Sequence, residues 1–155
     1  RSIGKCSSTE SIVTMLTLTF FGNLAGALMT ALAMNVAGIG IDATELAQAK
    51  LAMTGLEATA RGVLCNVCVC LAVHVASRSL DTAGRFVACA LPVALFVTLG
   101  FEHSVADMFI LPVAGCGLLQ SLTFIGYVTV GNVIGGYITA RYVGTDFGME
   151  EEDEG

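Results

Sequence analysis

Glu102-His103 follows one uncharged stretch, Phe86 to Phe101, and lies just ahead of another, Met108 to Ala140. Ionisable side chains at membrane depth are costly and ordinarily face a cavity or the interior of a helix bundle. A histidine in such a place can exchange a proton or donate to an anion. Its neighbours point the same way: Gly100 permits a break, and Ser104 followed by Asp107 fits the S-x-x-D capping pattern, so a helix is expected to restart just after His103. The start of a half-helix offers N–H groups and a partial positive charge, both of which attract anions. His103 is therefore the leading candidate for a residue on a solute path, with a hydrogen-bonded structural histidine as the alternative. Glu102 is expected to brace the break, because its charge would repel a passing anion.

Phe96 lies seven residues before His103, about two turns along the same face, and could form a hydrophobic constriction in front of it or simply pack. Asn66 is a lone amide in Leu64-Cys65-Asn66-Val67-Cys68-Val69-Cys70-Leu71, placed to bond another helix or to line the path. Cys65 and Cys68 form C-x-x-C with Cys70 and His74 nearby, which invites a metal or redox reading. On a helix Cys70 points away from the other two, and no strand-helix-strand context accompanies the motif. No metal set, cofactor or disulfide is expected, since Cys within apolar segments behaves as a small hydrophobe. His74, one turn before Arg78, reads as an interfacial residue. No nucleophile elbow, P-loop or dinucleotide fingerprint occurs in a fitting context, so no enzymatic activity and no catalytic residue is expected.

The elements that must hold these residues are membrane helices. Of 155 residues, 55% are hydrophobic and 13% charged, with 18 Gly and a mean hydropathy of +0.79. Ser11 to Ile41 and Met108 to Ala140 contain no Asp, Glu, Lys or Arg, and each exceeds the roughly 20 residues that span a bilayer. The expected order is a helix over Ile12–Asn35, a loop over Asp42–Lys50 and a helix over Thr54–Ser77. After a turn through Arg78–Gly84 comes a helix over Arg85–Leu99, broken at Gly100–His103 and resumed over Val105–Leu111. Pro112, Gly115 and Gly117 end that half-helix, and a last helix covers Leu118–Tyr142. Residues 1–149 thus read as one transmembrane domain and 150–155 as an acidic, disordered tail that supplies most of the net charge of −6. The seven Lys and Arg residues are scattered rather than gathered on a stripe, which excludes a nucleic-acid partner. Grouping the N-terminus, the Arg78–Gly84 turn and the C-terminus on one side gives Arg1, Lys5, Arg78, Arg85 and Arg141 against Lys50 and Arg61, so both termini are expected in the cytoplasm.

Gly22-Asn23-Leu24-Ala25-Gly26 in the first helix is echoed by Gly131-Asn132-Val133-Ile134-Gly135 in the last. Small residues four apart let helices approach closely, and a buried Asn amide can tie a neighbour. If the two helices are equivalent members of inverted structural repeats, the last three spans form a complete repeat and the first ends a partial one. The expectation is an all-α, aquaporin-like bundle of which this chain holds about four of six helices, one of them broken. The chain opens at Arg1 without a signal peptide, which reads as a start inside a longer protein.

In order along the chain, Phe21-Gly22-Asn23-Leu24-Ala25-Gly26, Leu64-Cys65-Asn66, Val69-Cys70-Leu71-Ala72-Val73, Gly100-Phe101-Glu102-His103-Ser104-Val105-Ala106 and Val128-Thr129-Val130-Gly131-Asn132-Val133-Ile134-Gly135-Gly136 resemble the formate/nitrite transporter family. The G-F-E-H-S-V-A segment is the most specific of these. The resemblance implies a homopentamer in a lipid bilayer, with one pore per protomer passing formate, nitrite, lactate or hydrosulfide. It implies His103 as the central pore histidine, Phe96 as the constriction aromatic and Val69 as an apolar residue of the cytoplasmic constriction. Asn66 would bond a helix preceding this segment, and Lys50 would be a vestibule lysine that draws anions in. Three departures stand out: Asp107 replaces the usual Asn, His74 the usual Trp and Tyr127 the usual Pro. A neutral-solute channel of aquaporin type is the alternative, weakened by the lack of Asn-Pro-Ala, and a membrane-embedded metal or redox protein using Cys65, Cys68 and His74 is a third reading.

Overall fold

A computed structural model describes residues 9–145, and all its elements are helices: α1 (Thr9–Val36), α2 (Thr44–Leu51), α3 (Gly55–Arg78), α4 (Thr82–Thr98), α5 (Ser104–Val113) and α6 (Leu118–Thr145). The expected acidic tail, Arg1 and Lys5 lie outside the described residues. Val13–Val36, Gly55–Arg78 and Leu118–Val143 are each long and apolar enough to cross a bilayer. α4, with 17 residues, rises only about 26 Å and falls short of a bilayer core of roughly 30 Å. Adding the 10 residues of α5 makes one broken crossing.

Three glycines shape the path. Gly38, Gly100 and Gly115 are the positive-φ residues among those described, at +69°, +66° and +70°. Each follows a helix end in the same hydrogen-bond pattern: Gly100 N–H donates to Val97 O at 3.2 Å and Phe101 N–H to Phe96 O at 2.9 Å, with equivalent pairs after α1 and α5. This is the Schellman arrangement, which satisfies carbonyls that a helix end would otherwise leave bare. Gly100 thus ends α4 where the sequence suggested a break.

α3 lies between α4 and α6, and α5 packs on α1 and α6. The α3–α6 contact is close because glycines line it. A Cβ at Gly131 would stand 2.2 Å from Thr59 O, one at Gly135 2.3 Å from Val63 O, and one at Gly62 2.7 Å from Val128 O. The core gathers Ala47, Ala58, Met108, Leu111, Phe124, Ile125 and Val128 from α2, α3, α5 and α6.

The segment read as a loop over Asp42–Lys50 is instead the helix α2. Its polar composition hid a helical pattern: Glu45 lies in the first turn and Lys50 in the last, both favourable to the dipole, while Ala47 and Lys50, three apart, share the buried face. The Asp42 carboxylate accepts from Thr44 N–H at 3.1 Å just ahead of the helix, and this bond holds its carboxyl below the usual range.

A broken helix stitched by Asn132, Arg61 and Lys50

The break between α4 and α5 is tied from three sides. From α3, Arg61 donates to Gly100 O at 2.9 Å, a cation on the carbonyl end of α4. The same guanidinium is held by Glu57, one turn earlier, at 2.9 Å. From α6, Asn132 uses both ends of its amide. Its Nδ2 donates to Gly62 O at 2.9 Å and to Glu102 O at 3.1 Å, while its Oδ1 accepts from Ser104 N–H at 3.0 Å. One side chain therefore joins α3, the break and the first residue of α5. From α2, Lys50 reaches Glu102 Oε2 at 2.5 Å and lies 2.9 Å from Asp107 Oδ1. All three of these side chains are buried. The Asp107 contact is off the line of a hydrogen bond, so both Asp107 oxygens are enclosed without a donor.

His103, not Ser104, caps α5. The Val105 N–H points at His103 Nδ1 at 3.2 Å, and the extended backbone at His103 suits an N-cap. Ser104 is the first helical residue, its N–H taken by Asn132, and Asp107 is engaged by Lys50 rather than by the helix end. The S-x-x-D reading is corrected by burial, since an enclosed carboxylate gains more from an ammonium than from a shared backbone donor. The capping bond also fixes the ring: Nδ1 is an acceptor, so the neutral imidazole carries its proton on Nε2. Phe96 and His103 come together, their rings stacked with centroids 6.2 Å apart and planes inclined by 27°.

The family description "Formate/nitrite transporter" matches residues 2–143. The chain belongs to that family. Over 101 residues it is 39% identical to the formate channel FocA of Escherichia coli, an alignment covering 60% of this chain and 35% of that protein. It is 34% identical over 133 residues to the nitrite transporter NirC of Salmonella typhimurium, covering 77% of this chain and 49% of that one. The chain thus spans from about a third to half of the length of these curated relatives. Among solved structures, an FNT family ion channel superposes with a TM-score of 0.83 at 27% identity, covering 90% of this chain and 61% of that chain. A pentameric formate channel with formate bound gives 0.77 at 29% identity, covering 94% of this chain and 69% of that one.

Within this transporter fold the remaining candidates fall in different places. Asn66 donates to Asn132 O at 2.5 Å, so its amide ties α3 to α6. Val69 is half-buried one turn further along α3. Lys50 is not an open vestibule charge, because its ammonium is buried against two carboxylates. Gly131, Asn132 and Gly135 pack against α3. Gly22 and Gly26 do not: a Cβ at either would meet nothing within 4 Å, and with Asn23 they line an open recess of about 380 Å³ bordered by Val105 and Phe109. Arg61 was absent from the sequence-based site, although Glu57 four residues earlier marks it as one end of a helical ion pair. His74 hydrogen-bonds Arg78, one turn further along α3.

Proposed function

We propose that this chain forms one wall of a membrane channel for small monovalent anions such as formate, nitrite, lactate or hydrosulfide, with His103 as the central residue of the path. The observation that carries the reading is the capped imidazole. With Nδ1 accepting from Val105, the Nε2–H is a donor held rigidly at the start of a half-helix, stacked against the aromatic Phe96. The Ser104 and Val105 N–H groups are already used by Asn132 and His103, so the imidazole takes the donor role that bare helix-end amides would otherwise serve. Apolar slits formed by Phe96 and Val69 strip water from the anion, and the Nε2–H with the positive end of α5 offsets the lost hydration. Proton transfer through the same nitrogen would let a weak acid cross in neutral form.

The assembly is a homopentamer by analogy with the formate-bound neighbour, seated in the plasma membrane with both termini cytoplasmic. Two structural facts favour that orientation. Lys50 is buried in an internal cluster and Arg61 is bonded to Glu57 and Gly100 O, so neither is a free loop cation on the opposite side. The test is uptake of labelled formate into liposomes holding the full-length protein. Replacing His103 by Ala is expected to cut flux by about tenfold to hundredfold, as loss of a well-placed donor to a charged solute predicts. Flux and pH profile identical to those of the unmodified protein would remove His103 from the path.

A further inference from the structure

Asp107 is the least explained buried group in the molecule. Its residue exposure is 0%, that of Glu102 is 2%, and they share a single ammonium, Lys50. One ammonium balances the charge of one carboxylate, which leaves one negative charge in excess in a low-dielectric interior. Both Asp107 oxygens are sealed from water and make no aligned hydrogen bond, and the Glu102 and Asp107 carboxyls crowd about the same Lys50 Nζ, at 2.5 Å and 2.9 Å. Two ionised carboxylates only accept hydrogen bonds and repel each other, so such an approach is stable when one proton lies between them. Among the described residues the other cation at the break, Arg61, is turned to Glu57 and the Gly100 carbonyl. α1 and α6 pack against α5 and carry no Asp, Glu, Lys or Arg over residues 13–36 and 118–140. α3 brings the buried Cys65 thiol toward the cluster, and His103 lies one turn away, its carbonyl accepting from Asp107 N–H at 3.0 Å. Tyr127 of α6 is turned to Gly55.

We propose that Glu102 and Asp107 hold one proton in common beside Lys50, and that this proton is a charge switch for the anion path. With it, the cluster of two carboxyls and one ammonium is neutral. Without it, a net negative charge stands one helical turn from His103 and repels the permeant anion. Only a proton moves: rising pH takes it to water as hydroxide is neutralised, and flux falls. The proposal rests on His103 lining the anion path, as set out above.

The experiment joins two measurements on the full-length protein in liposomes. Infrared spectroscopy in light and heavy water reads the carbonyl stretch of a protonated carboxyl, and labelled formate uptake is followed from acid to alkaline pH. The unmodified protein is expected to show one such band, which disappears as pH rises in step with a loss of flux on the order of tenfold, the effect of one unit charge at roughly 10 Å and an effective dielectric constant near 20. Asp107→Asn supplies an amide donor in place of the shared proton, and is expected to lack both the band and the alkaline fall. A protein with no titrating carboxyl band, or a D107N profile that still falls as before, would overturn the proposal. If D107N does not fold, the band and flux of the unmodified protein decide alone: titration in step supports it, and separate titration refutes it. A band without formate flux at any pH would sink the transport reading while supporting the shared proton.

Discussion

The same five-residue pattern occurs twice in this chain and does two different things. In α6, Gly131 and Gly135 let the α3 backbone come so close that a methyl group would collide with Thr59 O and Val63 O, and Asn132 between them spends its whole amide on three backbone partners. In α1, Gly22 and Gly26 face open space within the described chain, and Asn23 borders a recess. The difference teaches that G-N-x-x-G is a license for close approach and not a contact in itself. Without a hydrophobic driving force between helices in lipid, such approach depends on what is present to fill it.

The largest effect should come from filling the occupied copy. Gly131→Ala and Gly135→Ala place a Cβ at 2.2 Å and 2.3 Å from rigid backbone carbonyls. Each is expected to cost about 3 kcal/mol or more, the upper range for overpacking, because neither helix can yield without breaking the Asn132 bonds. Thermal unfolding followed by size exclusion in detergent would read this as loss of the folded species at temperatures where the unmodified protein survives. Wild-type behaviour in both variants would refute the close α3–α6 seam.

Second in size is the pair of asparagines. Asn132→Ala removes three hydrogen bonds and leaves the Ser104 N–H without its acceptor. At the average of about 0.6 kcal/mol per bond found within membranes, the expected loss is about 2 kcal/mol. Asn23→Ala should cost distinctly less in the same unfolding measurement. A smaller loss for Asn132 than for Asn23 would invert the comparison and move the structural hub to α1.

This contrast also marks what the sequence made legible. The spans followed from charge-free runs, and the break followed from Gly100, because a residue that readily takes positive φ ahead of Glu102-His103 leaves few alternatives. Phe96 and His103 were paired on helical spacing, yet α4 ends at Thr98 and the chain turns at Gly100, so their stacking comes from the turn and not from a shared helical face. Helix α2 was missed because a short polar helix lacks the apolar run that signals a span; its helical signal lay in Ala47 and Lys50 facing inward together. Ser104 was chosen as the cap over His103 because serine is the commoner N-cap, and only coordinates show which side chain the Val105 N–H meets. The reach of Lys50 across 52 residues to Glu102 depends on tertiary placement, which local spacing does not encode. Arg61 belongs to the same class, for Glu57 announces an ion pair but not the Gly100 carbonyl that the guanidinium also holds.

The smallest effect belongs to the unfilled copy and bears most directly on the repeat. At Gly22 and Gly26 an added Cβ meets nothing within 4 Å, and alanine is the better helix former by about 1 kcal/mol per residue. In the 155-residue chain, Gly22→Ala and Gly26→Ala are therefore expected to leave stability unchanged or raise it by up to about 1 kcal/mol, read by the same thermal unfolding. The longer length of the curated relatives makes the full-length protein the informative second host. There, a loss approaching that of Gly131→Ala would mean that another helix seats on α1 as α3 seats on α6, so that the two patterns are equivalent joints of inverted repeats. An unchanged or raised stability in both hosts would instead make the resemblance of the two segments one of sequence only, with a single working joint at Asn132.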